Sequence, residues 1–231
     1  MAKQPSENGR ASAYDPNRYP RPSLSADAIV FSYFDRRLQV LLVLRKNDPF
    51  RGHWVFPGGF VDVYEDPTEA AHRELHEETG IQVDELMQLR VFGRPDRDPR
   101  YHVVAVAHFG IALPGSQTPQ GGDDALQAAW YPAHKTPPLA FDHDEVLDAA
   151  LARLKSEIVR PSFAMRFFER RFTGRDLLGL YQEVLGKRLN GRRFLGRLSR
   201  VCLERPAMDR SVRINRAALR KFESQLGVWW E

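Results

Sequence analysis

Three glutamates at helical spacing are the residues of this sequence best placed to do chemistry. Glu74, Glu77 and Glu78 stand three and four positions apart, so a helix of 3.6 residues per turn would place all three carboxylates on one face. Carboxylates this close repel one another, and a hard divalent cation such as Mg²⁺ or Mn²⁺ would relieve the repulsion while bridging to a substrate phosphate. On spacing alone, a solvated acidic helix face explains the same residues more simply.

The element that must carry these glutamates is a helix over residues 68–79. Asp66 is a natural N-cap, Pro67 suits the first helical position, and Glu69 can complete a capping box. Gly80 is placed to end the helix. These flanking signals predict a capped helix that presents the carboxylates together.

The spacing around this helix follows a specific pattern. From Gly59 the sequence runs through five residues to Glu65, then through seven residues to Arg73-Glu74-Leu75-His76-Glu77-Glu78-Thr79-Gly80-Ile81. Nine specified positions within 23 residues match the signature G-x5-E-x7-R-E-U-x-E-E-x-G-U, where U is bulky and aliphatic. The chain therefore resembles the Nudix hydrolases.

The resemblance implies a metal centre and a reaction. Enzymes of this family bind Mg²⁺ or Mn²⁺ and hydrolyse a diphosphate linked to a nucleoside; the cations neutralise the diphosphate and lower the pKa of a bound water. By resemblance, Glu77 and Glu78 are metal ligands, and Glu74 is a further ligand or the general base. The backbone of Gly59 would help to shape the metal and phosphate site.

Two further catalytic assignments accompany the resemblance. Glu65 and Arg73 would form the ion pair that holds the loop to the helix, whereas outside such a motif an exposed pair contributes little. The family often takes one more acid from a later loop, and Asp124 in the run Gly121-Gly122-Asp123-Asp124 is the candidate. Plain turn chemistry explains that run as well, because glycine and aspartate favour turns.

The candidate substrate-binding residues are three arginines around a proline. Pro95 lies 15 residues beyond Gly80, near the position where Nudix enzymes that act on ADP-ribose often carry a proline. Arg94, Arg97 and Arg100 flank it and could meet phosphates. The resemblance thus favours ADP-ribose as the small-molecule partner, although a proline in such a loop is also an ordinary loop residue.

The remaining elements predict an α+β fold, which the resemblance specifies as a Nudix α/β/α sandwich with a mixed sheet. Strands and helices alternate without regular βαβ spacing. Predicted strands cover residues 28–34 and 38–44 as a hairpin, then 54–63 with a break at Pro57-Gly58-Gly59, 87–92, 103–113 and 125–131, and a helix covers 144–155. We divide the chain into a flexible tail (1–22), a Nudix domain (23–156) and a basic, winged-helix-like domain (157–231).

The charge is distributed unevenly along the chain. Lysine and arginine number 34 against 30 acidic residues overall, but 18 of the basic and only 8 of the acidic residues lie from position 155 onward. A basic module joined to an acidic one indicates different partners, and a basic module of this kind often contacts nucleic acid.

Two predicted helices carry this charge. Thr173 and Gly186 bound the first, and Asn190 can cap a second helix over residues 191–201. In the second helix an apolar stripe at Phe194, Leu198 and Val201 would dock on the first helix. An adjacent stripe would face outward as the DNA-binding surface: Arg193, Arg197 and Arg200. With residues 202–214 as a possible wing, the order of elements is that of a winged helix-turn-helix; a solvated basic face on an accessory subdomain is the alternative.

A second resemblance covers approximately residues 19–205. The run Leu139-Ala140-Phe141-Asp142-His143-Asp144 and the later Phe172-Thr173, Leu185-Gly186 and Arg192-Arg193-Phe194 are similar to the Nudix-related transcriptional regulators of bacterial NAD metabolism. In that family a Nudix domain binds ADP-ribose and a C-terminal winged helix binds double-stranded operator DNA, usually as a homodimer. Residues 209–231 depart from the family. Many of its members carry an incomplete form of the signature found here over residues 59–81 (the Nudix box, hereafter the box), whereas this chain keeps every carboxylate.

Composition excludes several other classes of protein. The longest apolar run, residues 103–113, is 11 residues long and contains His108, whereas a membrane-spanning helix needs about 20; we expect no membrane partner and no secretory signal. The single cysteine, Cys202, excludes an internal disulfide and a cysteine-cluster zinc site. The expected location is the cytoplasm.

The two main hypotheses are a Nudix pyrophosphohydrolase fused to a DNA-binding module and a non-hydrolytic ADP-ribose-sensing repressor.

Overall fold

The structure is a computed structural model that describes residues 18–115, 118–122, 125–169, 172–202, 208–215, 217–219 and 221. Three predicted features fall partly or wholly outside these ranges. They are residues 1–17 of the tail, the candidate acid Asp124, and residues 203–207 of the possible wing.

A mixed seven-stranded sheet organises the described residues. Its strands are β1 (Ser23–Phe34), β2 (Arg37–Arg45), β3 (Trp54–Val55), β4 (Gly58–Phe60), β5 (Leu86–Phe92), β6 (Val103–Ile111) and β7 (Ala125–Pro132). The order is β3-β2-β1-β6-β5, with β4 paired to β1 and β7 paired to β2. Strands β1 and β6 run parallel, and the other pairs are antiparallel. The predicted hairpin and the mixed character of the sheet are confirmed.

Helices cover both faces of this sheet. They are α1 (Pro67–Thr79), α2 (His143–Glu157), α3 (Pro161–Ala164), α4 (Gly174–Leu185) and α5 (Gly191–Leu198), with a 3₁₀ turn at Met165–Phe167. Successive side chains of a strand point to opposite sides of the sheet, so alternate residues of β1 pack on opposite faces. Ala28 and Val30 pack with residues of α1, whereas Ile29 and Phe31 belong to the core formed with α2 and α4. The predicted α/β/α sandwich is therefore confirmed.

The caps of α1 explain why the helix begins and ends where it does. Asp66 accepts a hydrogen bond of 2.8 Å from the Thr68 amide, and the Glu69 side chain accepts from the Asp66 amide. Gly80 ends the helix in the left-handed conformation (φ 69°), which glycine adopts without steric cost. The predicted capping box and stop signal are both present.

The C-terminal helices also follow their caps, with one difference in length. Thr173 and Asp176 form a capping box on α4, and Asn190 caps α5. Helix α5 ends at Leu198 rather than at residue 201, so Arg200 lies in the following turn. Of the possible wing, the described residues show a backbone bridge between Cys202 and Ile214.

The apolar core continues from the sheet into α4 and α5. The ring of Tyr181 on α4 meets Phe194 on α5 edge-on at a centroid distance of 5.5 Å. A polar contact joins α4 to the sheet: the Leu38 amide on β2 donates to Glu183 Oε2 on α4 at 3.1 Å. Among the described helices none is long and apolar enough to cross a membrane.

Candidate active site

Arg73 is the centre of the polar network on α1. Its Nε and Nη2 donate to the two carboxylate oxygens of Glu65 at 2.8 and 2.9 Å. Its Nη1 donates to Glu74 at 2.7 Å and to Glu77 at 3.1 Å, and Nη2 also reaches the Phe60 carbonyl at 3.1 Å. These hydrogen bonds from Arg73 lower the pKa of Glu65 to about 2. One guanidinium thus ties the loop before the helix to two of the three clustered glutamates.

Two glycines allow the backbone to approach the carboxylates closely. The Gly58 amide donates to Glu78 Oε2 at 3.0 Å, and Glu78 is buried. A Cβ atom at Gly59 would collide with the Glu74 carboxylate, and one at Gly58 would lie 2.5 Å from a carboxylate oxygen of Asp27. Close contact rather than backbone conformation therefore favours glycine at both positions.

These residues form one wall of a cavity of about 360 Å³, within the size range of small-molecule sites. The segment 58–78 contributes Gly58, Gly59, Arg73, Glu74 and Glu78 to its lining. Other lining residues come from distant parts of the chain: Asp27, Arg45, Phe56, Phe141 and His143. The lining thus combines acidic, aromatic and basic side chains.

The box residues fit a hard divalent cation by their chemistry. Glu74 and Glu78 line the cavity with carboxylate oxygens, the ligand type that Mg²⁺ and Mn²⁺ prefer. Glu77 is half-exposed and bound to Arg73, and among the described residues no three acidic, histidine or cysteine side chains already converge as a metal site. The donor set fits, and for Glu77 to join it this side chain must leave Arg73.

The inner wall of the cavity carries a buried charged network. Arg97 donates to both carboxylate oxygens of Asp142, from Nε at 3.0 Å and from Nη2 at 2.7 Å. Burial raises the pKa of Asp27 to about 6, against the opposing pull of Arg97. Burial, with a smaller contribution from Arg97, lowers the pKa of His143 to about 3, so its imidazole is neutral at physiological pH.

The structure separates the three candidate substrate arginines. Arg97 and Arg100 line the cavity, but Arg97 is held by Asp142, and Arg100 donates to Asp98 at 2.7 Å. Arg94 is exposed and lies outside the cavity lining, with Nη1 3.8 Å from Glu145. Arg97 therefore has a structural role in the cavity wall. Of the three arginines, Arg100 is the best placed to contact a ligand.

Sequence reasoning assigned no site role to four residues that line the cavity: Asp27, Arg45, Phe141 and His143. One signal was available for Asp27, since it is the only charged residue in β1. Phe141 adopts a left-handed conformation (φ 58°) and packs on Phe50, which does the same (φ 64°), with ring centroids 4.7 Å apart. Strained backbone of this kind gathers at functional sites, but it is invisible in the sequence.

The loop that leads to the candidate acid Asp124 is held against the end of α1. The Gln120 amide donates to the Thr79 carbonyl at 3.0 Å, and the Gly122 amide donates to the Glu78 carbonyl at 3.1 Å. The loop therefore reaches the metal-binding motif, while Asp124 itself lies outside the described residues.

The basic helix α5 has the two-sided character that the sequence predicted. Phe194, Leu198 and Val201 are buried. Arg193 and Arg200 are exposed, and Arg197 is partly exposed. The apolar stripe docks on α4, which leaves positive charge at the surface.

Comparison with known proteins places this fold and site in a family. Residues 24–150 match the NUDIX domain, so the chain belongs to the Nudix family. Within the family it is similar to the Nudix-related transcriptional regulators along most of its length. The ADPR responsive transcriptional repressor NtrR of Acinetobacter baylyi is 32% identical over 197 residues, which cover 84% of this chain and 78% of that protein.

Two further similarities differ in how much of the chain they cover. The ADP-ribose pyrophosphatase of Methanocaldococcus jannaschii is 38% identical over 129 residues, covering 56% of this chain and 73% of that enzyme. The crystal structure of Shewanella oneidensis NrtR in complex with a 27mer DNA has a TM-score of 0.64 and 26% identity, and the match covers 85% of this chain and 95% of that one. The similarity thus extends beyond the Nudix domain into the basic helices.

Proposed function

We propose that this protein is a Mg²⁺- or Mn²⁺-dependent Nudix pyrophosphohydrolase for ADP-ribose or a related nucleoside diphosphate derivative, joined to a DNA-binding winged helix that regulates transcription. The observation that carries the enzymatic part is the acidic cavity wall. Glu74, Glu78 and the backbone of Gly59 meet there, and Arg73 holds the supporting loop. The intact carboxylate set supports catalytic competence.

Each box residue has a distinct part in the proposed reaction. When bound, divalent cations would neutralise the diphosphate and lower the pKa of the attacking water. Glu78 and Glu77 would hold them, and Glu74 would serve as a further ligand or as the base that takes the proton of that water. Arg73 does not face the substrate as a free cation, since Glu65, Glu74 and Glu77 occupy its donors; it positions the carboxylates.

A product assay tests the enzymatic proposal. With Mg²⁺ or Mn²⁺ the protein should split ADP-ribose into AMP and ribose 5-phosphate, and chromatography of the nucleotide products would show both. A panel of other nucleoside diphosphate derivatives identifies the substrate class. If none of them is cleaved in the presence of either metal, the proposal of a hydrolase is wrong.

The second candidate function is a non-hydrolytic repressor that senses ADP-ribose and controls genes of NAD metabolism. Exposed Arg193 on α5 and exposed Arg200 in the turn after it support DNA binding, and the similarity to an ADPR responsive repressor supports sensing. We propose a homodimer as the DNA-bound form. DNA titrations with and without ADP-ribose, using Glu78→Gln so that the ligand survives, distinguish a sensor from an enzyme whose basic helices have another role. In a sensor the two ligands must influence each other by the same factor.

A further inference from the structure

The carboxylate of Asp27 has one oxygen without a hydrogen-bond partner at the inner wall of the cavity. Asp27 is only 6% exposed, and its Oδ2 makes no hydrogen bond within the described structure. The nearest donors are too distant, because Arg97 Nη2 and His143 Nε2 each lie 3.9 Å from Oδ2. Burying an unsatisfied carboxylate oxygen destabilises a fold. An aspartate at this position of an otherwise uncharged strand therefore calls for a functional explanation.

The neighbouring histidine faces this oxygen with a donor. His143 Nδ1 accepts a hydrogen bond of 3.0 Å from the Phe56 amide, and the neutral ring must then carry its proton on Nε2. Stacking on Phe56 at a centroid distance of 5.2 Å fixes the plane of the ring. The cavity wall thus holds an N–H donor and a carboxylate acceptor that lie 3.9 Å apart without forming a hydrogen bond.

The group that fits this gap must accept one hydrogen bond and donate another. A gap of 3.9 Å leaves room for an oxygen within ~2.8 Å of both atoms. A hydroxyl can accept from His143 and donate to Asp27, whereas a carbonyl or ionised phosphate oxygen only accepts and an ammonium only donates. A phosphate without a bound cation would also be repelled by the Asp27 carboxylate.

From this geometry we infer that Asp27 and His143 form a hydroxyl-binding subsite, which recognises a sugar hydroxyl of the ligand. The inference rests on the proposed function, because it takes the ligand to be a nucleoside diphosphate that carries a ribosyl group. Arg97 is a positioning residue for the subsite, since its bidentate pairing with Asp142 holds a fixed positive charge beside Asp27.

Calorimetric titration of two variants tests the subsite. All proteins carry Glu78→Gln so that the ligand survives. The probes are ADP-ribose, ADP-ribose with the adenosine 2′- or 3′-hydroxyl removed, and ADP, which lacks the second sugar. Asp27→Asn removes the negative charge and exchanges one carboxylate oxygen for an amide donor. It should weaken ADP-ribose binding ~10-fold or more, as expected for loss of a hydrogen bond to a charged group. The loss should be much smaller for the probe without the recognised hydroxyl, which identifies the sugar concerned.

A second variant and a matched control distinguish loss of the subsite from misfolding or a general effect of substitution. His143→Asn keeps an oxygen that can accept from the Phe56 amide but removes the Nε2 donor, and it should show the same pattern. Asp35→Asn, in the exposed turn at the other end of β1, should bind like the parent, and thermal unfolding midpoints verify folding. Unchanged affinities, or an equal loss for every probe, would overturn the subsite while leaving the proposed function intact. Failure of the parent to bind any of the probes would overturn both.

Discussion

Arg73 and Glu65 are joined by two parallel hydrogen bonds of 2.8 and 2.9 Å, and the same guanidinium reaches Glu74 at 2.7 Å. A planar fork of donors is needed for this arrangement, because a lysine ammonium cannot make two parallel bonds and a third at an angle. The loop and the helix of the box are therefore locked together through one side chain, and the position of the Glu74 carboxylate depends on that lock.

Replacing Arg73 by lysine should lower kcat/KM for ADP-ribose about 10- to 100-fold, the range typical of residues that orient metal ligands. The charge is kept, so a loss of this size would show that the geometry of the fork matters. Steady-state kinetics provide the measurement. Arg90→Lys is the matched control, because Arg90 bonds to Glu145 on the surface, away from the box. Equal activity of both variants would contradict the positioning role of Arg73.

Changing Glu78 to glutamine should lower kcat by ~10²-fold or more, because a metal-binding carboxylate is lost while the side chain keeps its shape. The Gly58 amide can still donate to the glutamine oxygen, so folding should be preserved. The exposed Glu169 offers a control of the same type, Glu169→Gln, which should leave kcat unchanged. Normal turnover by the Glu78 variant would remove this residue from the catalytic site.

The buried imidazole of His143 should make stability depend on pH. Its pKa is about 3 in the fold against an ordinary value of 6.5, so between these values the unfolded chain binds a proton that the folded protein does not. Stability from this group is complete above pH 6.5 and falls as the pH drops toward 3, by roughly 3–5 kcal/mol. Asp27, whose pKa is raised, acts in the opposite direction between pH 3.8 and 6.

Comparison of denaturant unfolding for the parent and His143→Asn between pH 4 and 8 isolates this effect, because Asp27 is present in both. The free energy difference between the two proteins should shrink on acidification. A difference that stays constant over this range would mean that folding does not shift the pKa of His143.

DNA binding through α5 should depend on salt in proportion to the number of phosphate contacts. Log affinity should fall with log salt with a slope near −0.9 for each phosphate neutralised. Arg197→Ala should cost ~1–3 kcal/mol if Arg197 reads a base, or reduce the slope by about one if it meets a phosphate. Fluorescence anisotropy with DNA from upstream of NAD-synthesis genes is the measurement. An unchanged slope after replacing Arg193, Arg197 and Arg200 together with alanine would show that α5 is not the DNA-binding element.

Glu183 should contribute to the attachment of α4 to the sheet. Its carboxylate accepts from the buried Leu38 amide at 3.1 Å, and its carbonyl accepts from His134 Nε2 at 2.9 Å. Glu183→Ala leaves that amide without a partner and should destabilise the protein by ~1–3 kcal/mol, whereas Glu183→Gln retains an acceptor and should cost much less. Chemical denaturation distinguishes the two variants. Equal losses of unfolding free energy would mean that the hydrogen bond from the Leu38 amide is unimportant for stability.

Local signals in the sequence were sufficient for several elements. Asp66, Glu69 and Gly80 fixed the ends of α1, because caps act within one turn of the chain. The apolar runs of β1 and β2 predicted a buried hairpin. Helix α5 was predicted one turn too long, because its apolar stripe continues to Val201 although the helix stops at Leu198; burial alone does not mark a helix end.

The sequence by itself determined the box, since its residues lie within one short segment and their spacing encodes the helix that presents them. Only the tertiary structure decided which other residues line the cavity. Asp27, Arg97 and His143 are separated by tens of residues, and they meet because β1, the loop before β6 and the start of α2 pack together. The same packing directed Arg97 toward Asp142 instead of a ligand. Such pairings follow from the three-dimensional arrangement of the sheet and helices, and they cannot be predicted from the local spacing of residues along the chain.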